Sequence, residues 1–230
     1  MKLLSILLIC TFTAIGQTEK QPTRSVSVEG LGKISTAPDQ VRLSVHVNTR
    51  AESASDAMTQ TNKKTNEILA ILRTMGVDAK DIQTSRVTVT AILDYQKNIQ
   101  PPPIVGYTGA NDFTVIFKGT LMEKVGAFMD KGVAAGVSSF GGLTYESSKQ
   151  RELEREALKK AADDAQARAE VLAKQLGTTL GNVMTVSENV SGPSPMVMRS
   201  SLMDASASAA PVMAGELQIT AQISATFELK

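Results

Sequence analysis

Few side chains in this sequence are able to do chemistry, and His46 is the only histidine in 230 residues. The chain therefore supplies neither a His-based metal site nor a serine triad within one subunit. His46 falls on the polar side of an alternating run and reads as a solvated or partner-facing residue. Met196, Met198, Met203 and Met213 gather in one stretch. Soft thioethers suit Cu(I), and Met196-Val197-Met198 has the spacing of a simple chelate. The plainer reading has these methionines packing against a neighbouring subunit or serving as adaptable apolar contacts. That reading is favoured here, so no catalytic residue, cofactor or metal is assigned. Glu152, Glu154 and Glu156 sit two apart, which on a helix sends alternate members to different faces. They suit a helix start, where acidic groups meet the positive end of the dipole, and not paired-carboxylate hydrolysis. Gly30-Leu31-Gly32 lacks the third glycine and the following helix of a dinucleotide site and reads as a turn. Asp81, with Lys80, Gln83 and Thr84, reads as a turn or backbone-bonding residue leading into a strand. Asn189-Val190-Ser191 fits a glycosylation sequon and is taken as incidental.

Composition narrows the classes further. Residues 1–16 carry Lys2, an apolar run from Leu3 to Ile15 and a small-x-small site at Ala14-Ile15-Gly16. This is the pattern of a cleavable secretory signal. The run is shorter than the ~20 residues a bilayer span needs. A lipoprotein acylated at Cys10 is disfavoured by the bulky Ile9 before it. Cys10 is the only cysteine, so the expected mature chain has no disulfide to form in an oxidising compartment. Without Lys2 the 24 basic residues become 23 against 23 acidic. A net charge of zero makes nucleic acid a poor partner and leaves membrane association peripheral at most.

The elements that would position these residues follow from periodicity. Residues 17–24 read as a tether, and Ser25–Glu29 as a brief strand. Val41, Leu43, Val45 and Val47 alternate with polar residues, as in a strand with one buried face. Ala54, Ala57, Met58, Thr61, Thr65, Ile68, Leu72 and Met75 recur at helical spacing, with Ser53 and Asp56 as a capping box and Gly76 as the stop. A strand through Val87 to Tyr95 and another over Ile104–Lys118 flank the proline-rich connection 97–103. Gly106, Gly109 and Ala110 suggest a bulge in the second. Thr120 and Glu123 suggest a capping box for a helix that ends at Gly136, and Ser138–Glu146 is a strand.

The longest helix runs from Ser147, read as N-cap with Gln150, to Gly177. Its inner stripe is Leu153, Ala157, Ala161, Ala165, Arg168 or Ala169, Leu172 and Leu176, small enough to approach a sheet closely. Glu156/Lys160, Asp164/Arg168 and Glu170/Lys174 face outward at i,i+4. Asn182–Asn189 reads as a strand and 191–214 as a mobile loop. Leu217 to Leu229 alternates without a break, over 40 Å at about 3.3 Å per residue, and either bends or offers an end to another subunit. The fold class is α+β: an antiparallel-rich sheet with a split βαβ (ferredoxin-like) repeat, a long C-terminal helix and two further strands, all packed as one domain over 25–230.

Several short patterns, in order, resemble the SIMPL domain family. They are Ala37-Pro38-Asp39, Lys80-Asp81-Ile82-Gln83-Thr84, Ile104-Val105-Gly106-Tyr107 with Ala110-Asn111, Ala157 through Gly177, and Gly215-Glu216 before the last strand. Val212-Met213-Ala214 departs where a second proline is expected. The resemblance covers about Ser25 to Lys230 and brings no catalytic residues. It implies an exported protein of the periplasm or cell envelope, linked in some members to immunogenicity, outer-membrane association or oxidative stress. The expected partners are further copies of the chain, as a homo-oligomer, or an envelope protein.

Overall fold

The computed structural model describes residues 24–96, 99–196 and 215–230. Along the chain run β1 (Ser25–Thr36), β2 (Gln40–Ala51), α1 (Ala54–Thr74), β3 (Ile82–Leu93), β4 (Ile104–Lys118), α2 (Val125–Ala134), β5 (Ser139–Glu146), α3 (Gln150–Gln175), β6 (Leu180–Met196) and β7 (Glu216–Leu229). The class is α+β, as the sequence leads one to expect. The strands form two sheets where one was expected, ordered β3-β4-β2-β5 and β1-β7-β6, with every pairing antiparallel. Strand length accounts for the split. The 14-residue β7 is flanked by the 12-residue β1 and the 17-residue β6, which pair along it nearly end to end. Both ends of that long strand are thus occupied within the chain.

The four-stranded sheet buries the alternation read from sequence. Val41, Leu43, Val45 and Val47 face Phe113, Val115 and Phe117, and Ile68 and Leu72 of α1 and Val125 and Phe128 of α2 close the core. Burying each large aliphatic or aromatic side chain is worth about 1.5–3 kcal/mol. Ser53 caps α1 as expected, its Oγ accepting Asp56 N–H at 3.0 Å. Gly76 and Gly136 take positive φ of 93° past their helices. Thr120 and Glu123 form no capping box, because 119–124 winds as a 3-10 turn and α2 begins at Val125 without a side-chain cap.

The second sheet packs α3 through a strict i,i+4 ladder of alanines: Ala157, Ala161, Ala165, Ala169 and Ala173. Leu172 and Leu176, expected in the stripe, are 42% and 66% exposed on its flank. Opposite the ladder, Gly30 and Gly32 are strand residues, not a turn, and β1 runs straight through them. A Cβ at Gly30 would overlap the carbonyl of Ala161, and one at Gly32 that of Ala157. Glycine is needed there because backbone meets backbone. Gly109 does the same against α1, where a Cβ would lie 2.7 Å from Ala57 O. The β2–β4 register is unbroken past Gly109 and Ala110. Against β3 the expected bulge does occur in β4, beside Gly106, where Val105 is left without a partner between the Ile92–Gly106 and Leu93–Ile104 pairs, and a second irregularity falls on β3 at Ser85.

Two aspartates tie the layers together. Asp39, between the sheets, donates its N–H to Glu146 O and accepts Gly119 N–H on its carbonyl. Its carboxylate takes Ser148 N–H at 2.7 Å and Ser148 Oγ–H at 2.6 Å. Ser147 is therefore not the N-cap of α3. It turns the chain, accepting Lys149 N–H on Oγ, and the helix starts at Gln150. Asp164 pairs with Arg168 and also accepts Leu31 N–H at 2.9 Å. These contacts, the Leu31 N–H first, hold its carboxyl below the usual range. Glu170 accepts from Gln166 rather than pairing with Lys174.

The expected loop at 191–214 begins later than the sequence suggests. Ser191 to Met196 extend β6, paired with Thr220 to Glu216 of β7. The rest of that loop, 197–214, lies outside the described residues, as do the leader and most of the tether.

The backbone-level contact makes a sharp prediction. Gly30→Val lowers unfolding free energy by about 3 kcal/mol or more, beyond ordinary overpacking, because a helix carbonyl cannot move aside. Gly126→Ala, where a Cβ meets nothing within 4 Å, stabilises α2 by about 0.5 kcal/mol. Urea denaturation of both variants measures the contrast.

Candidate functional site

The face of the four-stranded sheet away from its helices carries the chain's concentration of paired charge. Alternation places there the side chains opposite in parity to the core set. Pairing then brings Arg86 of β3, Asp112 of β4, His46 of β2 and Ser139 of β5 into one transverse row. His46 Nδ1 lies 2.9 Å from Asp112 Oδ1. Arg86 places Nε at 2.8 Å and Nη2 at 2.6 Å from Asp112 Oδ2. Ser85, the extra residue where β3 slips against β4, donates Oγ–H to the Asp112 carbonyl at 3.0 Å.

Asp112 is buried, while His46 and Arg86 are more open. Burial pushes the Asp112 carboxyl up, but the hydrogen bonds from His46 and Arg86 and their charges outweigh it. The group is held below the usual carboxylate range and accepts from both neighbours. A carboxylate on Nδ1 fixes the imidazole orientation and leaves Nε2 facing the Gly141 backbone, where a Cβ would come within 3.0 Å of it. This is an oriented histidine. Among the described residues no hydroxyl hydrogen-bonds to His46.

The rest of this face is also tied pairwise. Arg42 bonds Glu146 at 2.6 and 3.0 Å, and Gln40 bonds the same carboxylate at 3.1 Å. At the sheet end Asp81 pairs with Lys118. Asp81 ends the 3-10 turn Ala79–Asp81 that leads into β3, its N–H bonded to Asp78 O, so it is the turn residue expected, and its carboxylate adds an ion pair to β4.

Met196 is in β6 opposite Glu216, while Met198, Met203 and Met213 lie outside the described residues. Glu154 accepts from Gln150 on α3 at 2.8 Å. Among the described residues no three His, Cys, Asp or Glu side chains gather as a metal site, and no helix is long and apolar enough to cross a membrane. Asp112 escaped sequence reasoning because its partners are 66 and 26 residues away. Only strand register joins them.

Asp112→Asn lowers stability at neutral pH by about 1–2 kcal/mol, the range for losing a buried charged acceptor whose donors reach water. A depressed folded pKa gives stability that is full above the unfolded value of ~3.9 and disappears as pH falls through the lower folded value. The gap between wild type and Asp112→Asn in urea titrations therefore closes as pH drops below about 4.

The chain matches the SIMPL family, described as a protein of unknown function (DUF541), over residues 26–227. It is 30% identical over 227 residues to the 26 kDa periplasmic immunogenic protein of Brucella melitensis biotype 1, covering 95% of this chain and 90% of the relative. The protein of the same name from Brucella abortus strain S19 aligns with the same identity and coverage. With nearly its whole described length spanned, the chain belongs to the SIMPL family.

Proposed function

We propose that this chain is a non-enzymatic, exported cell-envelope protein that acts through its surface, by self-assembly or by binding another envelope protein. One observation carries the reading: β3 is an edge strand left bare. Gln83 to Thr90 are exposed on both faces, with Val87 at 50% and Val89 at 41%. Its register against β4 is continuous from Arg86 to Ile92, and no proline or lysine interrupts it.

An unpaired strand edge of β-branched residues is a template for another strand, and folded proteins ordinarily blunt such edges. The other edges here are each blunted over part of their length. Asp164 occupies the β1 edge at Leu31. β5 is short and slips around Gly141 and Gly142. β6 carries Pro193 and Pro195 and three register shifts. A bare β3 fits assembly with a second copy.

Export is supported by the leader pattern of residues 1–16 and by relatives named as periplasmic. The oriented His46 and the tied charges of the outer sheet face suit a surface that is recognised rather than one that turns over substrate.

Two measurements test the reading. Light scattering after size exclusion detects an oligomer for wild type, and Val87→Lys with Val89→Lys shifts it toward monomer. Stability changes by less than about 0.5 kcal/mol, as expected at exposed sites. A wild type that stays monomeric at high concentration removes self-assembly. The mass of protein purified from the periplasmic fraction begins at Gln17; full-length protein confined to the cytoplasm removes export.

A further inference from the structure

The groove left open between β1 and α3 points to a second contact, one that rests on the same surface-acting reading. We infer that it docks an extended segment of another polypeptide, added to the β1 edge as a further strand. Backbone parity specifies the occupant. Arg24 O accepts Leu229 N–H at 2.8 Å, so residues of even number bond to β7 and those of odd number turn N–H and C=O to the free edge. Leu31 displays this, since its N–H leaves the sheet and meets Asp164.

That guard stops at Leu31. Toward the strand start, Glu29, Ser27 and Ser25 have the same outward parity, and no described residue takes their edge groups. There an open groove of about 520 Å³ lies between Ser27 to Glu29 on β1 and Ala167, Arg168, Val171 and Leu172 on α3. Val171 is 60% exposed and Leu172 42%.

The floor of this groove is the outward-turned peptide edge of Ser27 and Glu29, and its wall is aliphatic at Val171 and Leu172, with Arg168, held by Asp164, at its end. A strand laid on the floor would complete the ladder and turn every second side chain toward Val171 and Leu172. The occupant is therefore an extended segment with aliphatic residues at alternate positions. It is short, because Asp164 closes the edge beyond Glu29. Backbone bonds supply affinity and the wall supplies selectivity.

The test titrates the isotope-labelled full-length mature chain with a soluble synthetic peptide carrying valine at alternate positions between terminal lysines. Amide resonances of Ser27 and Glu29 shift. Methylating the peptide amides that face β1 weakens binding about tenfold or more, and so does Val171→Asp, by removing the apolar wall. Val171 is exposed, so an unchanged spectrum elsewhere shows that the variant is folded. Absence of shifts at Ser27 and Glu29 with millimolar peptide overturns the proposal. So does equal binding of the methylated peptide, which would mark non-specific apolar contact, or shifts confined to β3. Shifts at Ser27 and Glu29 on concentrating the chain alone would give the groove to a second copy and overturn it as well. None of these failures touches the light-scattering test of β3, so the two readings fail separately.

Discussion

Everything in this architecture depends on how closely its helices can lie on its sheets. At Gly30 and Gly32 the carbonyls of α3 occupy the space where strand side chains would stand, and Gly109 admits α1 in the same way. The alanine ladder of α3 offers almost no side-chain bulk to hold a helix and a sheet apart. Dispersion and close packing of backbone atoms replace the interdigitated large side chains of the other core. The two layers solve one problem differently: phenylalanine and aliphatic residues fill a wide space under α1 and α2, while glycine against alanine abolishes the space under α3.

A helix placed that close also reaches the strand edge, and this is where packing passes into surface chemistry. Asp164 can satisfy Leu31 N–H because α3 sits over β1 at backbone distance. Asp39 performs the matching task between the sheets, joining the ends of β4 and β5 to the turn that leads into α3 through both main chain and carboxylate. Each aspartate spends a charge on backbone groups that would otherwise face water or stay unpaired. What these devices leave bare are the β3 edge and the β1 edge before Leu31.

The outer sheet face follows a related logic. Asp112 would be costly to bury alone, and it is stabilised because Arg86 and His46 arrive from neighbouring strands on both sides. The row orders side chains on an open surface without enclosing a reaction volume. Arg42 with Glu146 repeats the arrangement toward the strand ends.

How much of this was legible beforehand depended on the range of the interaction. The period-two runs of β2 and β7, the Ser53 cap, the Gly76 stop and the alanine-rich α3 were readable, because each is determined within a few residues by steric and hydrogen-bonding rules. The family was also readable, from ordered short patterns such as Ala37-Pro38-Asp39. Local rules misread Gly30-Leu31-Gly32 as a turn, since the same glycines serve either a reversal or a close helix, and the deciding residue lies more than 120 positions away. They misassigned Ser147 for a similar reason: Ser148 is claimed by Asp39, 109 residues earlier. The division into two sheets, the Arg86–Asp112–His46 row and the guarded and unguarded edges all rest on which strand lies beside which. Sequence determined the elements and their inner faces, because those depend on neighbours along the chain. Tertiary structure alone decided the partners, because pairing is set by contacts between segments whose separation no local pattern records.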